Sequence, residues 1–226
     1  MCDRALAEGL LQDALYYKMM ACYRLGRQEE SVDAALAYSL IYSSKEDERL
    51  SNALRIILLY DDDPVLRVQS GHRLADSGSG RTSDQMYYFS ALMDIGDYET
   101  AAEVYNSLRD RISSRDAALL CISAGASSGL IASNLESWYS QEGYSQEFRN
   151  AVVEASGILL QRSEGQLALP LVFRIRQGES DSLSNLILGD IYAQMGDEKS
   201  ARTYYGLAYL DYPSAVSGRL IQLQAN

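Results

Sequence analysis

Gly125-Ala126-Ser127-Ser128-Gly129 has the G-x-S-x-G spacing of a nucleophile elbow. An elbow lifts a serine hydroxyl off the end of a strand toward a histidine later in the chain. Neither condition holds. The residues before Gly125 follow a helical period, and the single histidine, His72, precedes the serine. His72 itself reads as a solvated helix residue. Gly78-Ser79-Gly80-Arg81-Thr82-Ser83 has some glycines of a phosphate loop but lacks its lysine and upstream strand. It reads as a linker between helix pairs. Glu29-Glu30 and Asp47-Glu48 occupy consecutive helix positions, about 100° apart, so their carboxylates do not converge as acid and base.

Metal chemistry fares no better. Asp61-Asp62-Asp63-Pro64 lacks the alternating ligands and the glycine of a calcium loop. It reads as a helix start, with Asp63 as N-cap and Pro64 in the first turn. Three cysteines, Cys2, Cys22 and Cys121, fit neither a disulfide framework nor zinc spacing. Cys22 and Cys121 lie in apolar helical context, as small core residues do. Cys2 is a candidate lipidation site. If Met1 is not the native start, Cys2 is placed as the acceptor of a bacterial lipoprotein; otherwise it is the second residue of a cytoplasmic protein. No catalytic residue, cofactor or metal ligand is assigned, and the chain is expected not to be an enzyme.

Composition agrees. A net charge of −11 disfavours nucleic acid and anionic membrane and favours a basic partner. No run approaches the ~18 apolar residues of a membrane span. Lysine occurs only at positions 18, 45 and 199, and arginine supplies the remaining cations. Seventeen tyrosines against three phenylalanines suit positions where one end of the ring is packed and the other wet.

The periodicity that would position these residues is helical throughout. Residues 3–25 carry a stripe through Leu6, Leu10, Tyr17, Met20, Ala21 and Leu25, ending at Gly26. Residues 28–43 form its partner, with Val32, Ala35, Leu36, Ser39 and Leu40 inward. A capping box at Ser43 and Glu46 opens a helix through Leu50, Ala53, Leu54, Ile57 and Leu58. A helix over 64–76 ends at Ser77-Gly78-Ser79-Gly80, and Thr82 with Gln85 makes a second box. Helices follow over 83–95 and 97–111, then 114–127 with 130–142, and 145–162 with 166–177. Trp138 reads as core or as an interface between pairs. Pro170 marks either a kinked helix or an irregular segment.

The clearest stretch is Ser182 to Pro213. Leu183, Leu186, Ile187, Ile191 and Met195 line one helix; Ala201, Tyr204, Tyr205, Ala208 and Tyr212 line the next. Gly196 stops the first, and Asp197 caps the second. Gly189 inside a helix costs about 1 kcal/mol against alanine and signals a close approach, expected to be another backbone. Gly96-Asp97, Ala101 and Tyr105 repeat Gly196-Asp197, Ala201 and Tyr205 one hundred residues earlier, about three repeats of ~34. Leu188-Gly189, Tyr192, Gly196, Ala201, Tyr205, Ala208 and Pro213 together resemble a tetratricopeptide repeat; only the opening aromatic is replaced, by Asn185.

That resemblance implies an all-α, right-handed αα-superhelix over residues 1–226, of about six helix pairs and a capping helix at 213–226. The clearest repeats are 83–112 and 182–213, with an irregular middle at 113–180. It implies a protein–protein scaffold whose concave face, on the first helix of each pair, presents Ser90, Met93, Asp94, Asp190 and Gln194. The alternative is that these residues pack against the next pair. Acids and serines there argue against gripping a carboxylate tail and favour a basic or apolar docking segment. Self-association through the N-terminal pair is a further expectation. The competing functional reading is an envelope lipoprotein accessory to a transport, secretion or cell-wall machine, membrane-anchored in the periplasm, with a small-ligand cavity. The default localisation is cytoplasmic.

Overall fold

The computed structural model describes residues 2–41, 48–178 and 181–225, with side chains from position 10 to 223 of those ranges. The Cys2 and Leu6 side chains and the Ser43–Glu46 box lie outside the described residues. Regular structure among them is entirely helical. No described helix is long and apolar enough to cross a membrane.

The chain forms two compact units, Met1–Ile112 and Ser113–Asn226. The first holds α1 (Cys2–Arg24), α2 (Gln28–Ile41), α3 (Glu48–Tyr60), α4 (Pro64–Asp76), α5 (Thr82–Ile95) and α6 (Tyr98–Leu108). The second holds α7 (Ser114–Ser123), α8 (Ser128–Glu142), α9 (Gln146–Gln161), α10 (Leu169–Ile175), α11 (Ser182–Gln194), α12 (Glu198–Ala208) and α13 (Pro213–Ala225), with a 3-10 turn at Gly165–Leu167. Within each unit every helix packs on the next. In addition α3 touches α1 and α5, and α9 touches α7 and α11. Contact between alternate helices is what stacked helix pairs produce, so both units have the packing of a helical repeat.

One turn recurs. Gly96 and Gly196 both sit at φ +78°, where a side chain is strained. The amide of Asp97 then reaches back to the Leu92 carbonyl at 3.0 Å, and that of Asp197 to Tyr192 at 2.9 Å. This is the left-handed helix stop with its long return bond. Each aspartate also caps the following helix, accepting from the amides of Thr100 and Ser200. The same return bond closes the turns at Gly26, Gly125 and Ser163. Ser163 makes it at φ +60° without being glycine.

Some local expectations need correction. In α1 the buried residues are Met19 and Cys22, whereas Leu10, Tyr17 and Leu25 are exposed; the stripe read from the sequence is the outer face. In α2 Leu40 is 87% exposed and Tyr38 takes the core position. Ser31 is buried and satisfies its hydroxyl on the Met19 carbonyl. The start of α5 is capped by Asp84, which accepts from the Arg81 amide at 2.9 Å. Thr82 and Gln85 instead hold the Arg111 guanidinium. The linker at 77–80 is pinned: Ser51 bonds Ser79, and Arg55 donates to the Ser79 carbonyl. Pro170 lies in the first turn of α10, where its missing amide costs nothing. Trp138 is core, edge-on to Phe148, with its indole N–H on Glu142.

The scarce lysine finds its reason in the arginines. Arg55 of α3 grips Asp84 at the start of α5, and Arg149 of α9 grips Asp181, the N-cap of α11, each at 2.9 Å. Arg115 of α7 pairs with Glu147 in the first turn of α9. Each clasp thus links a helix to the next but one. The acid stabilises the positive end of its helix, and the forked guanidinium shares it with a second partner: Arg55 also bonds Asn52 and Ser79. Both acids of the first two clasps are nearly buried, so deleting one arginine leaves an unpaired charge, a loss of about 3–5 kcal/mol.

Gly189 meets a ring rather than a backbone. A Cβ there would lie 2.4 Å from two carbons of the Tyr205 ring, whereas a Cβ on Gly206 of α12 meets nothing within 4 Å. Gly189→Ala is therefore expected to cost about 1–3 kcal/mol by overpacking, despite its better helix propensity. Gly206→Ala should stabilise by up to about 1 kcal/mol. Urea midpoints of the two variants check both signs.

Candidate functional site

The second unit contains an open pocket of about 630 Å³. It is built from α11 outward. Asp181 anchors the start of this helix, accepting from the amides of Gln177 and Ser184 and from Arg149. Burial alone would raise its pKa, but those donors hold the carboxyl below the usual range. Two turns on, Gly189 lets the Tyr205 ring lie flat against α11. The phenol then reaches Asp190 and donates to Oδ1 at 2.9 Å. Arg219 of α13 completes the group: Nη2 donates to Asp190 Oδ2 at 2.9 Å, and Nε to Oδ1. One carboxylate thereby ties three helices together.

Gln194, one turn further along, closes the opposite wall. Its amide oxygen accepts from the Gly165 amide at 2.8 Å, and its nitrogen donates to the Leu160 carbonyl at 2.9 Å. That pair holds the segment after α9 against α11. Ser214 and Gln222 supply further polar groups from α13, and Ala193, Ala215 and Gly218 leave room between them.

Of the residues expected on the binding face, Asp190 and Gln194 therefore share one pocket. Both already serve intrachain contacts. The other three lie in the first unit: Ser90 and Met93 are half-buried on α5, and Asp94 is exposed and paired with Arg67 at 2.9 Å. Arg219 was not singled out in the sequence. Its position, close behind Pro213 in a helix expected merely to cover the last pair, carried no pattern pointing back to Asp190. The elbow-like string at 125–129 spans the turn after α7 and the first residues of α8, with Arg162 donating to the Gly125 and Ala126 carbonyls. No group of three or more metal-ligating side chains occurs among the described residues. His72 pairs with Asp76 on the surface of α4.

Electrostatics fix the protonation of the group. Burial, and then the neighbouring Asp190 charge, push the Tyr205 phenol far above its ordinary value, so it is the neutral donor. The hydrogen bond to Asp190 likewise raises Arg219, which stays a cation. A neutral phenol and a fixed cation thus flank Asp190.

No protein-family model, curated protein or solved structure matches this chain.

The Tyr205 shift dictates an alkaline limit. In the unfolded chain the phenol ionises near pH ~10, while in the folded chain it resists. Stability from this group is complete below that pH and is lost as pH rises toward the folded value. Tyr205→Phe should flatten the loss above pH ~10. At neutral pH the variant should be weaker by about 1–2 kcal/mol for the missing hydrogen bond. Denaturant titrations across this pH range read both effects.

Proposed function

We infer that the chain is a non-enzymatic scaffold, a right-handed αα-superhelix of tetratricopeptide type whose pocket in the second unit takes a segment of a partner protein. The observation that carries the reading is the make-up of that pocket. Small-molecule sites are mostly apolar and bury most of their ligand. This one is open and polar, with an Asp190 carboxylate between a tyrosine and an arginine. Gln222 and Ser214 match main-chain amides, and the small residues between them allow a backbone to come close. Asp190 is already shared by Tyr205 and Arg219, so the pocket's own charges balance, and it is the overall charge of −11 that draws a lysine or arginine on the incoming segment.

Support for the repeat family comes from the matching turns and caps at Gly96-Asp97 and Gly196-Asp197. The second reading, a lipoprotein accessory holding a small ligand, draws on the same pocket but fits its openness less well.

A displayed peptide library panned against the full chain tests the inference. Enriched peptides should carry lysine or arginine beside apolar residues. Gly218→Arg places a long side chain at an exposed position whose added Cβ meets nothing within 4 Å. It should weaken those peptides at least about tenfold, roughly 1.4 kcal/mol, while helicity is retained. Enrichment of acidic peptides alone, or binding indifferent to Gly218→Arg, would sink the reading.

A further inference from the structure

Helix α1 has two apolar faces. One packs on α2 through Met19 and Cys22. The other is exposed and runs through Leu10, Ala14, Tyr17 and Ala21 to Leu25 just past the helix end. Spacings of four, three, four and four place these five on one side. Leu10 is 65%, Tyr17 63% and Leu25 71% exposed. A second apolar stripe left exposed on a helix calls for a cover.

The stripe mirrors itself. About a centre between Tyr17 and Lys18, Leu10 corresponds to Leu25 and Ala14 to Ala21. Self-correspondence is what an isologous contact needs, since residue i must meet j wherever j meets i. We propose that this face pairs with α1 of a second copy of the chain, antiparallel, across a two-fold axis between Tyr17 and Lys18. The alanines allow the two backbones to approach, and the leucines cover both ends. Along one edge of the stripe charge supports the same register, while along the other each Lys18 turns outward from its mate at the axis. Asp13 and Arg24, both exposed, lie along one edge of the stripe. Antiparallel pairing sets Asp13 of each copy beside Arg24 of the other, and does so twice. Arg49 of the same chain already bonds Asp13, so the incoming guanidinium shares that carboxylate. A single helix pair is smaller than the ~1,200–2,000 Å² of a standard interface, so the association is of micromolar strength.

Sedimentation equilibrium of the full chain should show a monomer–dimer equilibrium. Ala21→Glu, at an exposed position, should weaken it at least about tenfold with an unchanged circular dichroism spectrum. Orientation is read by disulfide trapping in a Cys2→Ser background, where the two remaining thiols are buried. Ala14→Cys chains mixed with Ala21→Cys chains should cross-link, and neither should cross-link with itself. A wild-type chain that stays monomeric up to about 1 mM would leave the face to some other protein and overturn the proposal. So would a dimer insensitive to Ala21→Glu, or trapping of Ala14→Cys with itself.

Discussion

The contact of Tyr205 with Gly189 decides where the polar groups of the last three helices go. Any larger residue at 189 would lift the ring off α11. With the ring seated, its hydroxyl arrives at Asp190, and the carboxylate is set to receive Arg219 from α13. The capping helix is thereby held by a directed charge pair as well as by Val216, which is buried against Ala201, Tyr205 and Ala208. Packing comes first in this sequence of causes and electrostatics second. The pocket exists because α13 is held at a fixed distance from α11.

How much of this was legible in the sequence depended on whether the signal was local. Turn glycines with their capping aspartates need only their own neighbours, and Gly96, Gly196, Asp63 and Asp197 were read correctly. The core alanines at 101, 201 and 208 followed from the same pattern. Facing was harder. Residues on both sides of α1 are apolar, so periodicity alone could not say that Met19 and Cys22 point inward and Leu10 and Tyr17 outward. In α2 the inward position expected of Leu40 falls to Tyr38, whose ring packs on that of Tyr16. The break expected between residues 162 and 166 is present, with Ser163 in the left-handed conformation that glycine usually takes.

The candidate site was legible only in part, for a related reason. Asp190 and Gln194 were located by their place on the first helix of a pair. Of their actual partners, Arg219 and the Gly165 amide lie 29 residues away along the chain, and Tyr205 lies 15 away on the second helix of the same pair. No spacing rule within a helix connects them. Asp84 was overlooked as a cap for the same cause, since Thr82 and Gln85 fit the local motif while Arg55 supplied the deciding charge from another helix.

The arginine clasps carry a consequence for how such a chain can change length. Each reaches from one hairpin to the start of the next, over 29 residues for Arg55 to Asp84 and 32 for Arg149 to Asp181. Insertion of one whole hairpin inside a unit keeps a clasp intact where the new hairpin carries its own arginine and starting acid. Insertion or loss of half a hairpin strands a cation beside bare apolar surface. Natural variants of this architecture should therefore grow and shrink by whole modules of ~34 residues, as a stack of identical bricks does, and intermediate lengths should be purged during evolution.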